Sequence, residues 1–261
     1  MRASLKIAVL AALCGLAATA PAKLARPAQA PLPATMPEPP PALATATAGV
    51  GLVDALARQA PTLDRQVLSL ATEALQCARH RQQVGADAVL SVIDYSRPST
   101  ERRLWVFDLA RQRLLFQEWV AHGRNSGDNQ SAHFSNADGS YMSSLGAFTA
   151  QETYTGHNGY SLRLQGLEPG FNDHARDRAI VIHGAPYVSE ALIRAQGRLG
   201  RSLGCPAVRP AIARQLIDTL QGGSFVFAYY PDSQWLKRSR LLAADCGGSQ
   251  LAQAGGSAAS H

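Results

Sequence analysis

From Val50 onward the apolar positions recur at helical spacing. Val53, Leu56 and Ala57 share one face, Pro61 interrupts, and Leu63, Val67, Leu70, Ala74 and Cys77 continue at three- and four-residue steps. Two short N-terminal helices, each burying one side against a larger body, are predicted from this. After Gly85 the period changes. Ala88 to Tyr95, Arg103 to Leu109 and Arg113 to Val120 are rich in Val, Ile, Leu, Phe and Trp and read as strands, with Ala110-Arg111-Gln112 as a hairpin turn between the last two. Further short strands are expected at Gly146 to Thr153, Tyr160 to Gln165, Ala179 to His183 and Ser224 to Tyr230. Helical patterns return only at Val188 to Ala195 and at Pro210 to Leu220, where the proline suits a first turn. The fold class is therefore mostly β with inserted helices (α+β), and not an alternating βαβ chain.

The flanks differ from this body. Arg2 and Lys6 precede an apolar run, Ile7 to Ala18, that is too short to span a bilayer, and Ala20-Pro21-Ala22 supplies a small-residue cleavage pattern. Residues 1–22 are read as a signal peptide, with Ala28-Gln29-Ala30 as a second cleavage candidate. Cys14 lies inside the apolar run behind Leu13, where a lipidation site wants a small residue. Residues 23–49 are mostly Ala, Pro and Thr and form an extended linker. Residues 238–261 are expected as a C-terminal tail, Gly-, Ser- and Ala-rich from 247. An exported chain in the periplasm or cell envelope follows, with no stable membrane insertion once the signal is removed.

At 261 residues and 46% hydrophobic content the chain buries one sizeable core. Loss of Arg2 and Lys6 lowers the formal charge from +6 to +4. No stripe of Lys and Arg interleaved with aromatics appears, so nucleic acid is not expected as a partner, and an anionic wall polymer suits the charge better. The seven histidines form no H-E-x-x-H, and there is no C-x-x-C pair, so neither a metal nor any other cofactor is expected.

Without Cys14 the chain keeps Cys77, Cys205 and Cys246, an odd number for an oxidising compartment. Cys205 follows Gly204 shortly before the helix at Pro210, at a predicted bend. Arg201, Arg209 and that helix start would favour a thiolate there. His183 ends an apolar strand, Ala179 to Ile182, and Gly184 would let the chain leave the sheet. Taken singly, Cys205 reads equally as a core cysteine or half of a disulfide, His183 as a core histidine, and Ser202 as a backbone cap.

Together these residues resemble a known family. His183-Gly184, followed about twenty residues later by Ser202-Leu203-Gly204-Cys205, is similar to the catalytic motif of the YkuD-type L,D-transpeptidases. The murein L,D-transpeptidase catalytic-domain branch is resembled further by Phe134-Ser135-Asn136, by S-S-L-G-A-F at 143–148 and by G-Y-S-L-R-L-Q-G-L-E at 159–168. The resemblance covers about Val89 to Tyr230 and leaves out the N-terminal helices at 50–84. It places the catalytic domain at 85–237 and implies an L,D-transpeptidase-like β-sandwich or barrel.

What the resemblance implies is a cysteine-dependent acyltransferase acting on peptidoglycan stem peptides. Cys205 attacks the carbonyl between the third-position diamino acid and D-alanine of a tetrapeptide stem. His183 takes the thiol proton, the Ser202 backbone orients the imidazole, and backbone N–H groups of Gly204 and Cys205 hold the oxyanion. Transfer of the thioester to a neighbouring stem amine gives a 3→3 crosslink. Arg198, Arg201, Arg209 and Tyr187, with Arg194, are the candidates for substrate binding. Leu203 and Ala207 depart from the family, which often has His before Gly-Cys and Arg or Asn two residues after the Cys; Arg209 is a candidate substitute for the latter.

If Cys205 must stay free, Cys77 and Cys246 are left as the disulfide pair, although Cys77 on an apolar helix face also suits the core. An L,D-carboxypeptidase or amidase on the same scaffold is the alternative enzyme. A non-catalytic wall-binding protein is the alternative of another class.

Overall fold

The computed structural model describes residues 51–86, 89–243 and 246. The expected signal peptide and linker, and the tail beyond 246, lie outside the described residues. The first helix (α1) occupies residues 51–59. The second (α2) is Arg65–His80, started by Asp64, whose side chain accepts from the N–H groups of Gln66 (2.7 Å) and Val67 (3.2 Å). Its buried face includes Leu68, Ala71 and Leu75 and packs on the strands Leu90–Asp94 and Phe225–Tyr229.

The strands are β1 Leu90–Asp94, β2 Leu104–Asp108, β3 Arg113–Glu118, β4 Gly146–Gly156, β5 Gly159–Gly166, β6 Val181–Gly184, β7 Ala207–Val208 and β8 Phe225–Tyr229. Helices α3 Glu190–Gln196, α4 Pro210–Leu220 and α5 Ser233–Arg238 interrupt them. One eight-stranded sheet results, in the order β3-β2-β1-β8-β4-β5-β6-β7. Only β1–β8 and β6–β7 pair in parallel.

The two ends of that order meet. Beyond β3 the chain crosses to β7, pairing Ala121 with Ala207 and Gly123 with Ser202. Arg209 closes the same seam with the Nε/Nη2 edge of its guanidinium on the Glu118 carboxylate, Nε donating to Oε2 at 2.8 Å. Arg103, with no exposed surface, donates from Nε to the Val120 carbonyl at 3.1 Å and from Nη1 to the Arg97 carbonyl at 2.7 Å. A buried cation is tolerated because its donors are spent on carbonyls. The mostly-β architecture with two leading helices is thus present, as a nearly closed sheet.

The body continues past residue 237. Asp232 caps α5, accepting from the N–H of Trp235 at 2.7 Å, and Trp235 is fully buried, its ring 5.6 Å from that of Phe227. Leu241 is buried, and Cys246 is joined to Cys77 on α2 by a disulfide, with Cα atoms 5.5 Å apart. The segment expected as a tail from 238 is therefore packed at least to Leu241 and bonded at Cys246. Oxidising the two cysteines to the bridge leaves Cys205 as the free thiol among the described residues.

Candidate active site

Strand β6 sits between β5 and β7, with His183 opposite Ser161 on one side and Ala207 on the other. The imidazole is buried, and its Nδ1 lies 3.1 Å from the Gly184 carbonyl. That contact puts the proton on Nδ1 and leaves Nε2 as an acceptor, which has no protein partner among the described residues. Burial holds the imidazole pKa below its ordinary value, so the ring is neutral at pH 7. Gly184 is needed for a different reason from the one expected: a Cβ there would lie 2.8 Å from the Ala213 Cβ of α4. The glycine lets α4 approach the strand.

The 202–206 segment forms a tight bend tied by Ser202. Its Oγ donates to the Cys205 carbonyl (2.7 Å) and accepts from the Gly204 N–H (3.0 Å). Gly204 has φ +128°, and a Cβ there would meet the Met142 carbonyl at 2.9 Å, so only glycine fits without strain. From behind, Ser143 accepts from the Gly123 N–H and donates to the Gly204 carbonyl, both at 3.0 Å. The buried Tyr95 lies on the same side, its phenol pushed up to about 12 by burial, with the Cys205 charge acting in the same direction.

The Cys205 sulfur lies along the backbone that leads into β6. It donates to the Ala179 carbonyl at 3.7 Å and accepts from the Val181 N–H. Ala179 has φ +54°, a conformation that residues with a Cβ seldom adopt. Val181 and His183 point to one face of the strand, two residues apart. Cys205 and His183 are thereby brought to the same strand, although no hydrogen bond joins them.

The surroundings of the other expected residues differ from those the sequence suggests. Burial pushes the Cys205 thiol up, against the expectation of a depressed value, and the cation that opposes this is Arg178. Strand β7 lies between Cys205 and α4 along the chain, and the hydrogen bonds at the sulfur come from the backbone of Val181 and of Cys205 itself. Arg201 is 2.8 Å from Asp128 and Arg194 is 2.6 Å from Glu190; Arg198 donates to the Leu199 carbonyl at 2.9 Å, and Arg209 is taken by Glu118. Gly184, not Ser202, supplies the oxygen that orients the imidazole. The Gly204 N–H is occupied by Ser202, and the Cys205 N–H faces its own sulfur, where it favours the thiolate. Tyr187 is half-buried, and burial followed by the Cys205 charge pushes its phenol up to about 12.

Arg178 was not singled out by the sequence pattern. Its Nη1 donates to the Ser135 carbonyl and Ser144 Oγ (both 2.6 Å), and its Nη2 to the Met142 carbonyl (2.7 Å) and Ser140 Oγ (3.0 Å). The residue therefore pins the 135–144 loop beside Gly204 while presenting a cation with no carboxylate hydrogen-bonded to it. Its position at the head of R-A-I-V-I-H-G was the available signal. Among the described residues no three His, Cys, Asp or Glu side chains gather as a metal site would require, and no helix is long and apolar enough to cross a membrane.

A closing sheet that holds a free cysteine beside a strand histidine is the setting in which family comparison becomes informative. The family model described as the L,D-transpeptidase catalytic domain matches residues 59–229, and the chain belongs to that family. The match begins before α2 and so includes that helix. A comparison with curated proteins finds no match.

Among solved structures, an L,D-transpeptidase from Mycobacterium smegmatis is similar at 15% identity over 54% of this chain and 58% of that one, with a TM-score of 0.35. An L,D-transpeptidase from Stackebrandtia nassauensis matches at 14% identity over 71% of this chain and 92% of that one, with a TM-score of 0.34. The helical cell shape determining protein Pgp2 of Campylobacter jejuni matches at 13% over 63% and 55%, with a TM-score of 0.37. The chain thus spans about three fifths of the length of the mycobacterial relative.

Proposed function

We propose that this chain is an exported peptidoglycan L,D-transpeptidase that works through a thioester on Cys205. The observation that supports this most is the single free thiol of the described residues, held against the backbone of the strand that carries a neutral, Nδ1-anchored His183. In the first step the sulfur attacks the carbonyl carbon between the diamino acid and D-alanine of a tetrapeptide stem, and its proton passes to His183 Nε2. The C–N bond then breaks, the imidazolium returns the proton to the departing D-alanine amine, and the acyl group stays on sulfur as a thioester. In the tetrahedral intermediate the Cys205 N–H donates to the oxyanion.

In the second step an amine of a neighbouring stem attacks the thioester and gives its proton to His183. The thiolate leaves and recovers that proton, and the product carries a 3→3 crosslink. Contact between Sγ and Nε2 would form with substrate bound, as catalytic hydrogen bonds are often open in the free enzyme. The Cys77–Cys246 bridge supports an oxidising, extracytoplasmic compartment, in keeping with residues 1–22 as a signal peptide and residues 23–49 as a linker.

The test is incubation of purified protein with a defined disaccharide-tetrapeptide, with products resolved by mass. Crosslinked dimers with released D-alanine are expected. Shortened monomers alone would make water the acceptor and the protein an L,D-carboxypeptidase. No turnover and no binding would favour a wall-binding module.

A further inference from the structure

Arg198, Arg201 and Arg209, the cations expected to meet substrate, are held by protein groups, which raises the question of which cation near Cys205 is available. Arg124 is. It is exposed, and its guanidinium makes no hydrogen bond or ion pair with the protein among the described residues. Its one partner is the ring of Tyr141, whose centroid lies 4.1 Å from the guanidinium carbon. Tyr141 has φ +56°, a strained conformation for a residue with a large side chain.

Tyr141 (37% exposed) and Leu203 (59%) are the exposed large hydrophobic residues among those described. Both stand next to the nucleophile bend. The Arg124 N–H donates to the Ser202 carbonyl at 2.8 Å, and the Asn125 N–H to the Tyr141 carbonyl at 3.2 Å. The Asn125 side chain adds a bond to the Ser140 carbonyl at 2.8 Å. At Gly123 a Cβ would strike the Tyr141 carbonyl at 2.4 Å and the Gly204 Cα at 2.9 Å. Three chain segments are thus locked together at backbone level beside Cys205, and they present an unpaired cation, an aromatic ring and an aliphatic side chain to solvent.

We infer that Arg124, stacked on Tyr141 and flanked by Leu203, is the anchor for a free carboxylate of the acyl-donor peptide. This rests on the function proposed above and adds a specificity element to it. A guanidinium held flat on a ring has given up rotamer freedom before binding, and its outer edge matches a carboxylate in two parallel hydrogen bonds. Leu203 gives the aliphatic part of the same amino acid an apolar surface, which explains a large hydrophobic residue left in water at the place where the family often has histidine. Two carboxylates of a tetrapeptide stem fit this chemistry: the one on the diamino-acid side chain and the one on the terminal D-alanine.

The test measures binding to Cys205→Ser, which removes chemistry, and KM and kcat with the otherwise native chain. The probes are the free tetrapeptide and two versions, each amidated at one of the carboxylates. Arg124→Gln should weaken binding of the free peptide and raise its KM by about tenfold to a hundredfold, the worth of a charged hydrogen-bonded pair, with a smaller change in kcat. Arg124→Lys should recover only part of this. One amidated peptide should bind the native and Arg124→Gln proteins alike, and which one identifies the carboxylate. Equal losses for all three peptides, or no loss for the free one, would overturn the anchor while leaving Cys205 acylation standing. A native chain that neither binds nor acylates any of them would overturn both.

Discussion

The Cys77–Cys246 bridge spans a sequence separation of 169 residues and so encloses nearly the whole described domain. Replacing both cysteines by alanine frees the denatured chain of that closure. With a loop of this size the chain-entropy relation gives a loss of about 5 kcal/mol, an upper value because denatured chains are already partly compact. Truncating the buried Cys77 side chain adds on the order of 1 kcal/mol, since only one heavy atom leaves the core. Against a typical domain stability of about 5–15 kcal/mol this is a large fraction, and it corresponds to a fall in melting temperature of roughly 10–20 °C. Thermal and urea unfolding of the native and double-alanine proteins, each with and without reductant, measures it. Reduced native protein should melt about 2–4 °C above the double variant, the difference left by the Cys77 side chain, and reductant should leave the variant unchanged. A double variant melting within about 2 °C of the oxidised native protein would refute the closure argument.

Three further outcomes follow from the site and its support. Arg178→Gln should slow alkylation of Cys205 at pH 7 by on the order of tenfold, because it removes the cation that favours the thiolate, whereas Arg178→Lys should restore most of the rate; equal slowing in both would assign Arg178 to loop anchoring alone. His183→Ala should slow acylation by about a hundredfold or more, and the acid limb of kcat/KM in the native protein should fall below the ordinary histidine pKa of 6.5, because burial favours the neutral ring. A limb above that value would contradict the assignment. Glu168 accepts from the Ala147 N–H at 2.8 Å and from Trp235 Nε1 at 3.0 Å, so Glu168→Gln turns an amide NH2 toward a donor and should cost about 1–3 kcal/mol in urea unfolding. Burial raises the Glu168 pKa, so the folded state binds this proton more tightly than the unfolded one. Its contribution to stability should therefore be greatest at acid pH and fall as pH rises from 4.5 through the folded value, a slope that Glu168→Gln should lack.

Elements whose signals are local were legible in the sequence. The strands β1 to β6 and β8 carry apolar runs or alternations of Val, Ile, Leu and aromatic residues, and α2 and α4 keep a clear apolar face. Strand β7 was not legible, because two residues carry no period; it exists because Ala207 pairs with both His183 and Ala121. Helix α5 was missed for a similar reason: six residues give less than two turns, and what holds them is the Asp232 cap and the burial of Trp235.

At the site, Cys205 and His183 were visible because a motif carries them, whereas the partners of the arginines were not. Nothing local says that Arg209 reaches Glu118, 91 residues earlier, or that Arg178 turns back to the 135–144 loop. Ser202 was expected to cap a backbone group or to orient the imidazole through its backbone, and its hydroxyl ties the 202–205 bend to itself.

The central claim is that the acyl group rests on Cys205. Rapid quenching of the protein with a disaccharide-tetrapeptide, followed by peptide mapping, locates any covalent adduct. The account predicts a thioester bearing the stem without D-alanine on the fragment that contains Cys205, its loss on treatment with hydroxylamine, and no adduct or turnover in Cys205→Ala. Full muropeptide turnover by Cys205→Ala, or an adduct on another fragment, would contradict it.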